Sequence, residues 1–483
     1  MKFRLPSDDA RYFSDLLRQF RENRKTPAFE IGVNFFPSAL LSPADRGKLL
    51  GAEEYENLVL SRKAYEAAAA SVQLTLSPMN GGIGTSLRRE EYLRRIWPLL
   101  GRKGPVQLGA KGSDLFFALK YKGRRGLVSI SEAKILRVMH ERTQYAKIIL
   151  QQLTSPDTLP SVRRLLGTVN IFHRMGLSTP FGKKTYAQIL SRAPGLGLRP
   201  VRLQAALPTL DEKGKVTVRR KAPGGHGFWG QKFICDYAKE KGINAIYNED
   251  GINNLVDPVV VGWMAKKKIA AVMLTTTKTD IDKKGGLIGI LKAGGAVKKE
   301  ILEEAQTKTV GQGDLFAAMG LTEGEKGGQY FNTNTAILNY AVLTPFLTDL
   351  AKVIGKDKIE ENAAPRLIQN KKGEFIQLEG ALGSCLLNLD GFFQTSQDPE
   401  LRKVLKKHGR LGADGRVDFL RILNVGEENR MLFFTPIKTA DDFRLQFQSG
   451  GFSFSTDTWM LEKVGPGSPP IAPWNPQKSD GLS

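Results

Sequence analysis

The sequence predicts an α/β layer fold with a mostly parallel sheet, and three observations carry that reading. Short apolar runs alternate with helical stretches between about residues 72 and 400, which is the pattern of strands crossed over by helices. Glycine-rich turns follow several of the apolar runs, as they do where a strand feeds a helix. The chain has 483 residues, 41% of them hydrophobic, enough for a sizeable buried core. In order, residues 1 to about 70 read as helical, with Phe13, Leu16, Leu17 and Phe20 at helical spacing and an alanine-rich run at 65–70. Val72, Leu74 and Leu76 alternate as in a strand and run into a glycine turn, with a helix expected over 88–99. A helix is expected to begin near Phe228, followed by a strand at 243–247, a helix at 258–268 and a strand at 270–274. Residues 432–434 read as an apolar strand, and 465–483, rich in Pro, Gly and Ser, as a disordered tail. No internal repeat is visible.

Composition narrows the function classes. No stretch reaches the roughly 20 apolar residues that span a bilayer. The start, MKFRLPSDDARYF, has no apolar core of the signal-peptide kind, so the expectation is a cytoplasmic protein without a membrane partner. The two cysteines, Cys235 and Cys385, lie in apolar surroundings and read as buried thiols. Their number excludes a disulfide framework and a structural zinc site. A formal charge of +22 favours polyanionic partners, either nucleic acid or phosphorylated small molecules. The basic residues fall in small groups such as Arg88-Arg89 and Arg163-Arg164, with no basic tail and no interleaved aromatics. Nucleic acid is therefore the less favoured partner, and solvated surface accounts for much of the charge.

Eight segments hold residue types suited to phosphate and sugar chemistry. Met79-Asn80-Gly81-Gly82-Ile83-Gly84-Thr85-Ser86 joins a strand to a helix. Its amides suit a phosphate or a nucleobase edge, although an ordinary turn has the same composition. It is neither a Walker A loop nor a GxGxxG fingerprint. Lys111, in Ala110-Lys111-Gly112-Ser113-Asp114, is a flexible point charge for phosphate or one surface lysine among many. Pro223-Gly224-Gly225-His226-Gly227 enters a helix. Its amides and imidazole suit a sugar phosphate, and the flanking glycines argue against an apolar-face histidine. Upstream, the Gln204 amide can both donate and accept. Asn248-Glu249-Asp250-Gly251, followed by Asp257-Pro258, ends a strand, where open α/β sheets bind ligands. A carboxylate there suits Mg²⁺ shared with a phosphate oxygen, and an acidic turn is the plainer account. Lys278-Thr279-Asp280-Ile281-Asp282-Lys283-Lys284-Gly285-Gly286 spaces lysines by acids, which keeps them charged over an anion or forms a solvated loop. Asn332 and Asn334, in Phe331-Asn332-Thr333-Asn334-Thr335, offer rigid donor–acceptor groups for hydroxyls, or a turn. Gln377-Leu378-Glu379-Gly380 follows Ala364-Pro365-Arg366, and Lys438 follows Thr435-Pro436-Ile437.

Taken in order, these segments resemble the eukaryotic-type UDP-glucose pyrophosphorylase family, across about residues 79 to 442. The family patterns are Leu-Asn-Gly-Gly-Leu-Gly-Thr, Pro-Lys-Ser, Pro-Gly-His-Gly, Asn-x-Asp-Asn, Lys-Thr-x-Ala-Asp-x-Lys-Gly-Gly, Phe-Asn-Thr-Asn-Asn, Gln-Leu-Glu-Thr-Ala-x-Gly and Leu-Pro-Val-Lys-Thr-Thr-Ser-Asp. The resemblance implies a Rossmann-like, glycosyltransferase-A-like sheet flanked by helices. It also implies direct in-line displacement: glucose 1-phosphate attacks the α-phosphorus of UTP, giving UDP-glucose and pyrophosphate with Mg²⁺ as cofactor. By this resemblance Lys111, Lys278 and Lys438 act on the phosphates, and Asp250 faces the metal and the sugar. Met79, Asn80, Gly81, Gly82, Gly84, Thr85, Gln204, Gly225, His226, Gly227, Asn248, Lys284, Asn332, Asn334, Arg366 and Glu379 bind substrate. Gln204 matches a glutamine that pairs with the uracil edge.

The chain departs from the pattern in places. Alanine replaces the proline before Lys111, which lies 26 residues after Thr85, as an insertion over about 88–108 would place it. Gly251 replaces an asparagine, and Arg366 a lysine. The residues after Lys438 lack the repetitive pattern of the β-helix with which many members end, so assembly stays open, a monomer included. The expected organisation is a helical segment at 1–71 and a catalytic α/β domain at 72–397. An insertion and C-terminal strand region follow at 398–464, then the tail at 465–483. The alternatives are a related UDP-sugar or UDP-N-acetylhexosamine pyrophosphorylase, a non-catalytic nucleotide-sugar binder, and a nucleic-acid-binding protein.

Overall fold

The computed structural model describes residues 7–22, 29–82, 89–279, 285–293, 295–303, 329–448 and 451–464, with Asp282, Thr307, Gln312 and Leu315. Gly84, Thr85, Lys284 and the expected tail lie outside them. The chain folds into two compact units. The first comprises Met1–Ala69, Gln204–Ile246 and Asp257–Arg430, and the second Ala70–Leu203, Tyr247–Val256 and Met431–Ser483. No helix among the described residues is long and apolar enough to cross a membrane.

The second unit is built on parallel strands. Gln73–Asn80 pairs in parallel with Lys147–Leu150 and Leu153–Thr154, and these pair in turn with Leu196–Leu198 and Arg202–Leu203. Parallel neighbours need crossovers, and the helix Ile130–Glu141 lies in the first of them. Its start is set by a capping box in which Ser129 and Glu132 satisfy each other's backbone amides. Ile130 to Met139 are all buried, charged residues included. Each charge has a partner: Glu132 meets Arg174 and Tyr186, Lys134 meets Glu249, and Arg137 meets Glu141. Without them, these buried charges would carry a large desolvation penalty.

The first unit carries a mixed sheet. Tyr330–Asn339 runs antiparallel to Ile243–Asn248 and to Ala271–Thr277, and the latter runs parallel to Leu420–Asn424. A second, four-stranded sheet is formed by Val216–Pro223, Ala206–Asp211, Phe375–Gly380 and Leu367–Lys372. The helix Pro258–Lys266 is apolar on nearly every side and starts at Asp257, whose carboxylate accepts from the Val260 amide at 3.0 Å. Asp257-Pro258 is thus a helix start, with proline where its missing N–H is harmless. Gly262 lets this helix pack closely on the helix Arg62–Ala69: a Cβ there would lie 1.7 Å from the Tyr65 carbonyl oxygen.

The α/β class and its alternating elements stand as expected. Three local readings change. The stretch 1–70 is helical over Ser7–Arg21, Tyr55–Val59 and Arg62–Ala69, but Phe35–Pro37 and Ala52–Glu54 are strands that join the sheet of the first unit. Residues 432–434 do not form a strand. Arg430–Phe433 is one helical turn, with Phe433 and Phe434 both buried, so consecutive side chains point inward as no half-buried strand permits. Of the two thiols, Cys385 is buried and Cys235 half-buried. Burial pushes the Cys235 thiol up to about 12 and raises Cys385 as well, so both are poor nucleophiles.

Candidate active site

In the second unit, the sheet strand Gln73–Asn80 delivers the glycine loop. Met79 and Asn80 are buried at its end. The Asn80 amide donates to Gln152 Oε1, while Asn80 Oδ1 has no hydrogen-bond partner among the described residues. Gly82 is exposed, with open space where a Cβ would stand. Lys111 opens the single turn Lys111–Asp114. Its ammonium meets Asp250 Oδ2 at 3.0 Å and the Ile437 carbonyl at 3.2 Å. Three segments distant in sequence, with the Lys438 charge on the third, thus converge on one carboxylate. The Asp250 side chain is 13% exposed and that of Lys111 20%. Burial alone raises the Asp250 carboxyl, but the Lys111 and Lys438 ammoniums, with Lys134 behind, outweigh it. The group is held below the usual carboxylate range and is ionised at neutral pH.

The departures around this corner have physical compensations. Ala110 stands where the resemblance expects proline, and its N–H donates to Ser161 Oγ at 2.8 Å, a bond proline cannot make. The long spacing before Lys111 is bridged by Arg89, which pairs with the buried Asp114 at 3.2 Å and donates to the Gly109 carbonyl at 2.8 Å. Asp114 also accepts from the Gly109 amide at 2.6 Å. Burial pushes the Asp114 carboxyl up, opposed by the Gly109 amide and Arg89. Gly112 is required because a Cβ would lie 2.5 Å from Ser131 Oγ and 2.8 Å from the Glu249 carbonyl. At Gly251 a Cβ would fall 2.2 Å from the Thr435 carbonyl, so the segment before Lys438 excludes the family's asparagine. Asn248 is half-buried, and its carbonyl accepts from Lys134 Nζ and Asn254 Nδ2, both at 3.3 Å.

In the first unit the segments that carry Gln204, His226, Asn334 and Glu379 converge around a different corner. Gly225 has φ +81° and caps the helix His226–Cys235. A Cβ on Gly225 would lie 2.7 Å from that of Glu379, and one on Gly227 would lie 2.6 Å from the Gly380 carbonyl carbon. Close approach of two backbones therefore accounts for both glycines. Gln204 is buried and its amide donates to the Gly225 carbonyl, so it holds this turn. His226 is exposed, and its Nδ1 meets the Asn334 amide, which orients the ring. Asn332 and Asn334 sit on a β-bulge: the register slips between Leu274 and Thr275, which face Thr335 and Asn332. Asn334 takes φ +59°, a left-handed conformation that asparagine tolerates, and its N–H donates to Asn332 Oδ1 at 3.0 Å.

Two residues of these segments have partners that the sequence did not show. Asp282 pairs with an arginine. It is buried and takes both guanidinium nitrogens of Arg430 at 2.7 Å and the Thr279 amide at 2.9 Å. Such a fork-to-fork pair is stronger than a neutral bond, and through the Thr279 amide it anchors the residue next to Lys278, itself half-buried. The Arg366 guanidinium pairs with the fully buried Glu300. Its charge is committed to a structural partner, whatever else it contacts. Sequence reasoning missed Arg430, Glu300, Lys134, Asn253 and Asn254. Only the adjacent pair Asn253-Asn254, in a segment already singled out, offered a local signal. A cavity of about 840 Å³ in the first unit, lined among others by Lys48, Lys299, Asp390 and Arg421, includes none of the expected site residues.

A glycine loop and lysines set around one ionised carboxylate are the equipment of a nucleotidyltransferase of the α/β type. Residues 221–463 match the family of UTP–glucose-1-phosphate uridylyltransferases. That span is half of the chain, and the chain belongs to this family. No curated protein matches it. Among solved structures it is similar to a variant of UDP-glucose pyrophosphorylase from Leishmania major, at 16% identity and TM-score 0.56, over 95% of this chain and 79% of that one. Another variant of the same enzyme, solved with UDP-glucose, gives 16% and 0.50 over 95% and 83%. The uridine diphosphate N-acetylglucosamine pyrophosphorylase of Trypanosoma brucei gives 16% and 0.52 over 91% and 76%. At such identities the likeness concerns the fold.

Proposed function

We propose that the chain joins UTP and glucose 1-phosphate into UDP-glucose and pyrophosphate. The observation that carries this reading is the convergence of Lys111 and Lys438 on the ionised Asp250. Such a cluster suits a reaction whose reactants all carry phosphates. A phosphate oxygen of glucose 1-phosphate attacks the α-phosphorus in line, the new P–O bond forms, and the α–β anhydride breaks to release pyrophosphate. Catalysis is then positioning plus neutralisation of phosphate charge. Lys111 and Lys438 supply that charge, with Lys278 as a further phosphate ligand. The Met79–Gly82 part of the glycine loop approaches the nucleotide through its backbone. His226, Asn332, Asn334 and Glu379 are assigned to the sugar and its phosphate. Gln204 supports the Gly225 turn and retains amide capacity for a base.

Magnesium fits the donor set. No group of three or more His, Cys, Asp or Glu side chains able to hold a metal occurs among the described residues. Mg²⁺ is commonly held by one or two carboxylates together with substrate phosphates, and Asp250 is one such carboxylate, already ionised. When bound, the ion would neutralise charge on the phosphate oxygens. Asp250 keeps its place through Lys111, Asn254 and the Ile437 amide, which donates to its carbonyl at 2.8 Å.

The test is pyrophosphate release from UTP, Mg²⁺ and a panel of sugar 1-phosphates, N-acetylglucosamine 1-phosphate included. Turnover preferring glucose 1-phosphate, abolished by a chelator that leaves the melting temperature unchanged, is the expected result. Turnover preferring an N-acetylated sugar would replace the substrate, and no turnover at all would remove the reaction.

A further inference from the structure

The corner at Asp250 poses a positioning problem. Lys438 belongs to the segment that begins at Met431, whereas Asp250 lies on the short excursion Tyr247–Val256 of the same unit. Charge attraction alone sets no geometry, because a lysine has many rotamers and an ammonium has no preferred direction. Two adjacent asparagines on that excursion tie the segments together. Asn253 is fully buried and Asn254 is 2% exposed.

The Asn253 amide donates to the Met431 carbonyl at 2.5 Å and the Leu461 carbonyl at 2.6 Å, and its oxygen accepts from the Leu461 amide at 2.8 Å. It ties Met431 and Leu461 of the C-terminal segment to the excursion. Asn254 works closer to the chemistry. Its oxygen accepts from the Thr435 amide at 2.9 Å, three residues before Lys438. Its nitrogen donates to the Asn248 carbonyl at 3.3 Å and reaches Asp250 Oδ1 at 3.5 Å. The Asn253 backbone amide donates to Thr435 Oγ1 at 3.2 Å, and Gly251 leaves room for the Thr435 carbonyl. One rigid amide thus touches the strand end, the carboxylate and the lysine-bearing segment. Aspartate cannot replace it, since the side chain must donate and accept at once.

We propose that Asn254 is a positioning residue for the transfer: it holds the Asp250 carboxylate and the Thr435–Lys438 segment in one frame without touching substrate. The proposal rests on the reading of the reaction given above. Misplacement of a catalytic group by about 1 Å can cost on the order of 100-fold in rate.

The experiment is a double-mutant cycle on full-length protein with Asn254→Ala and Lys438→Ala, read by kcat and by KM for UTP and glucose 1-phosphate. Asn254→Ala is expected to lower kcat by about 30- to 100-fold with both KM values within about threefold, as for a group whose effect appears only in the transition state. In the Lys438→Ala background the same change is expected to cost about threefold or less, because coupled residues are non-additive. A melting curve establishes that each variant is folded. Should the alanine variant not fold, Asn254→Ser, which keeps one acceptor at shorter reach, carries the same cycle. An unchanged kcat in a folded variant, or equal losses in both backgrounds, overturns the proposal. Absence of turnover in the wild-type protein would instead overturn the reaction and is thereby distinguished.

Discussion

The two corners that gather the family segments are built on opposite economies of charge. At Asp250, in the second unit, two lysines and a carboxylate face one another, and Lys134, paired with Glu249, lies behind. In the first unit, several of the polar residues that match the family are committed to the fold. Gln204 holds the Gly225 carbonyl, Arg366 neutralises Glu300, and Asp282 is clasped by Arg430. The glycines there are demanded by close packing against Glu379 and Gly380. A family pattern thus mixes residues kept for chemistry with residues kept for packing. Geometry separates them.

The sharpest break in this comparison is Asp250→Ala. It leaves Lys111 and Lys438 without their shared counter-charge, and kcat is expected to fall on the order of 100- to 1,000-fold. A loss below tenfold in steady-state assays would remove Asp250 from the chemistry. Arg366→Ala should act in the other currency. It strands the fully buried Glu300, at a cost of about 3 kcal/mol in urea unfolding, with kcat of the folded fraction within about threefold. A large loss of kcat at unchanged stability would return Arg366 to the phosphates. Gly251→Ala forces the Thr435 carbonyl to move, with about 1–3 kcal/mol lost. Because that carbonyl belongs to the Lys438 segment, turnover should fall with it, and a stable variant of normal activity would mean that the segment moves freely. The smallest effect is expected for Ala110→Pro. The Ala110 φ of −63° already suits proline, but the ring Cδ would stand where the N–H points at Ser161 Oγ, so the bond is lost and the Ser161 side chain must turn away, at about 1–2 kcal/mol, visible as a shift in melting temperature. A collapse of the fold would mean that the loop before Lys111 cannot take the family's residue.

Much of the architecture was legible from local pattern. The expected strand at 243–247 is Ile243–Asn248, and the expected helix at 258–268 is Pro258–Lys266. Apolar runs bounded by Asp-Pro and glycine encode such elements within a few residues. The N-terminal strands were not legible: Phe35–Pro37 and Ala52–Glu54 are three residues each and exist only through pairing with Gly286–Ala293 and Leu420–Asn424. The bulge at Asn334 was invisible for the same reason, since a register slip is a relation between two strands.

The sequence by itself determined the α/β class, the order of the segments and the identity of the charged groups, because periodicity, glycine turns and residue chemistry are local properties. Tertiary structure decided which of those groups meet. It set Lys111 on Asp250 across a sequence separation of 139 positions, gave Arg366 to Glu300, and used Asn253 and Asn254 to fix the segment that bears Lys438. Such partnerships depend on backbone approach over long separations, and no window of sequence contains both sides of the contact.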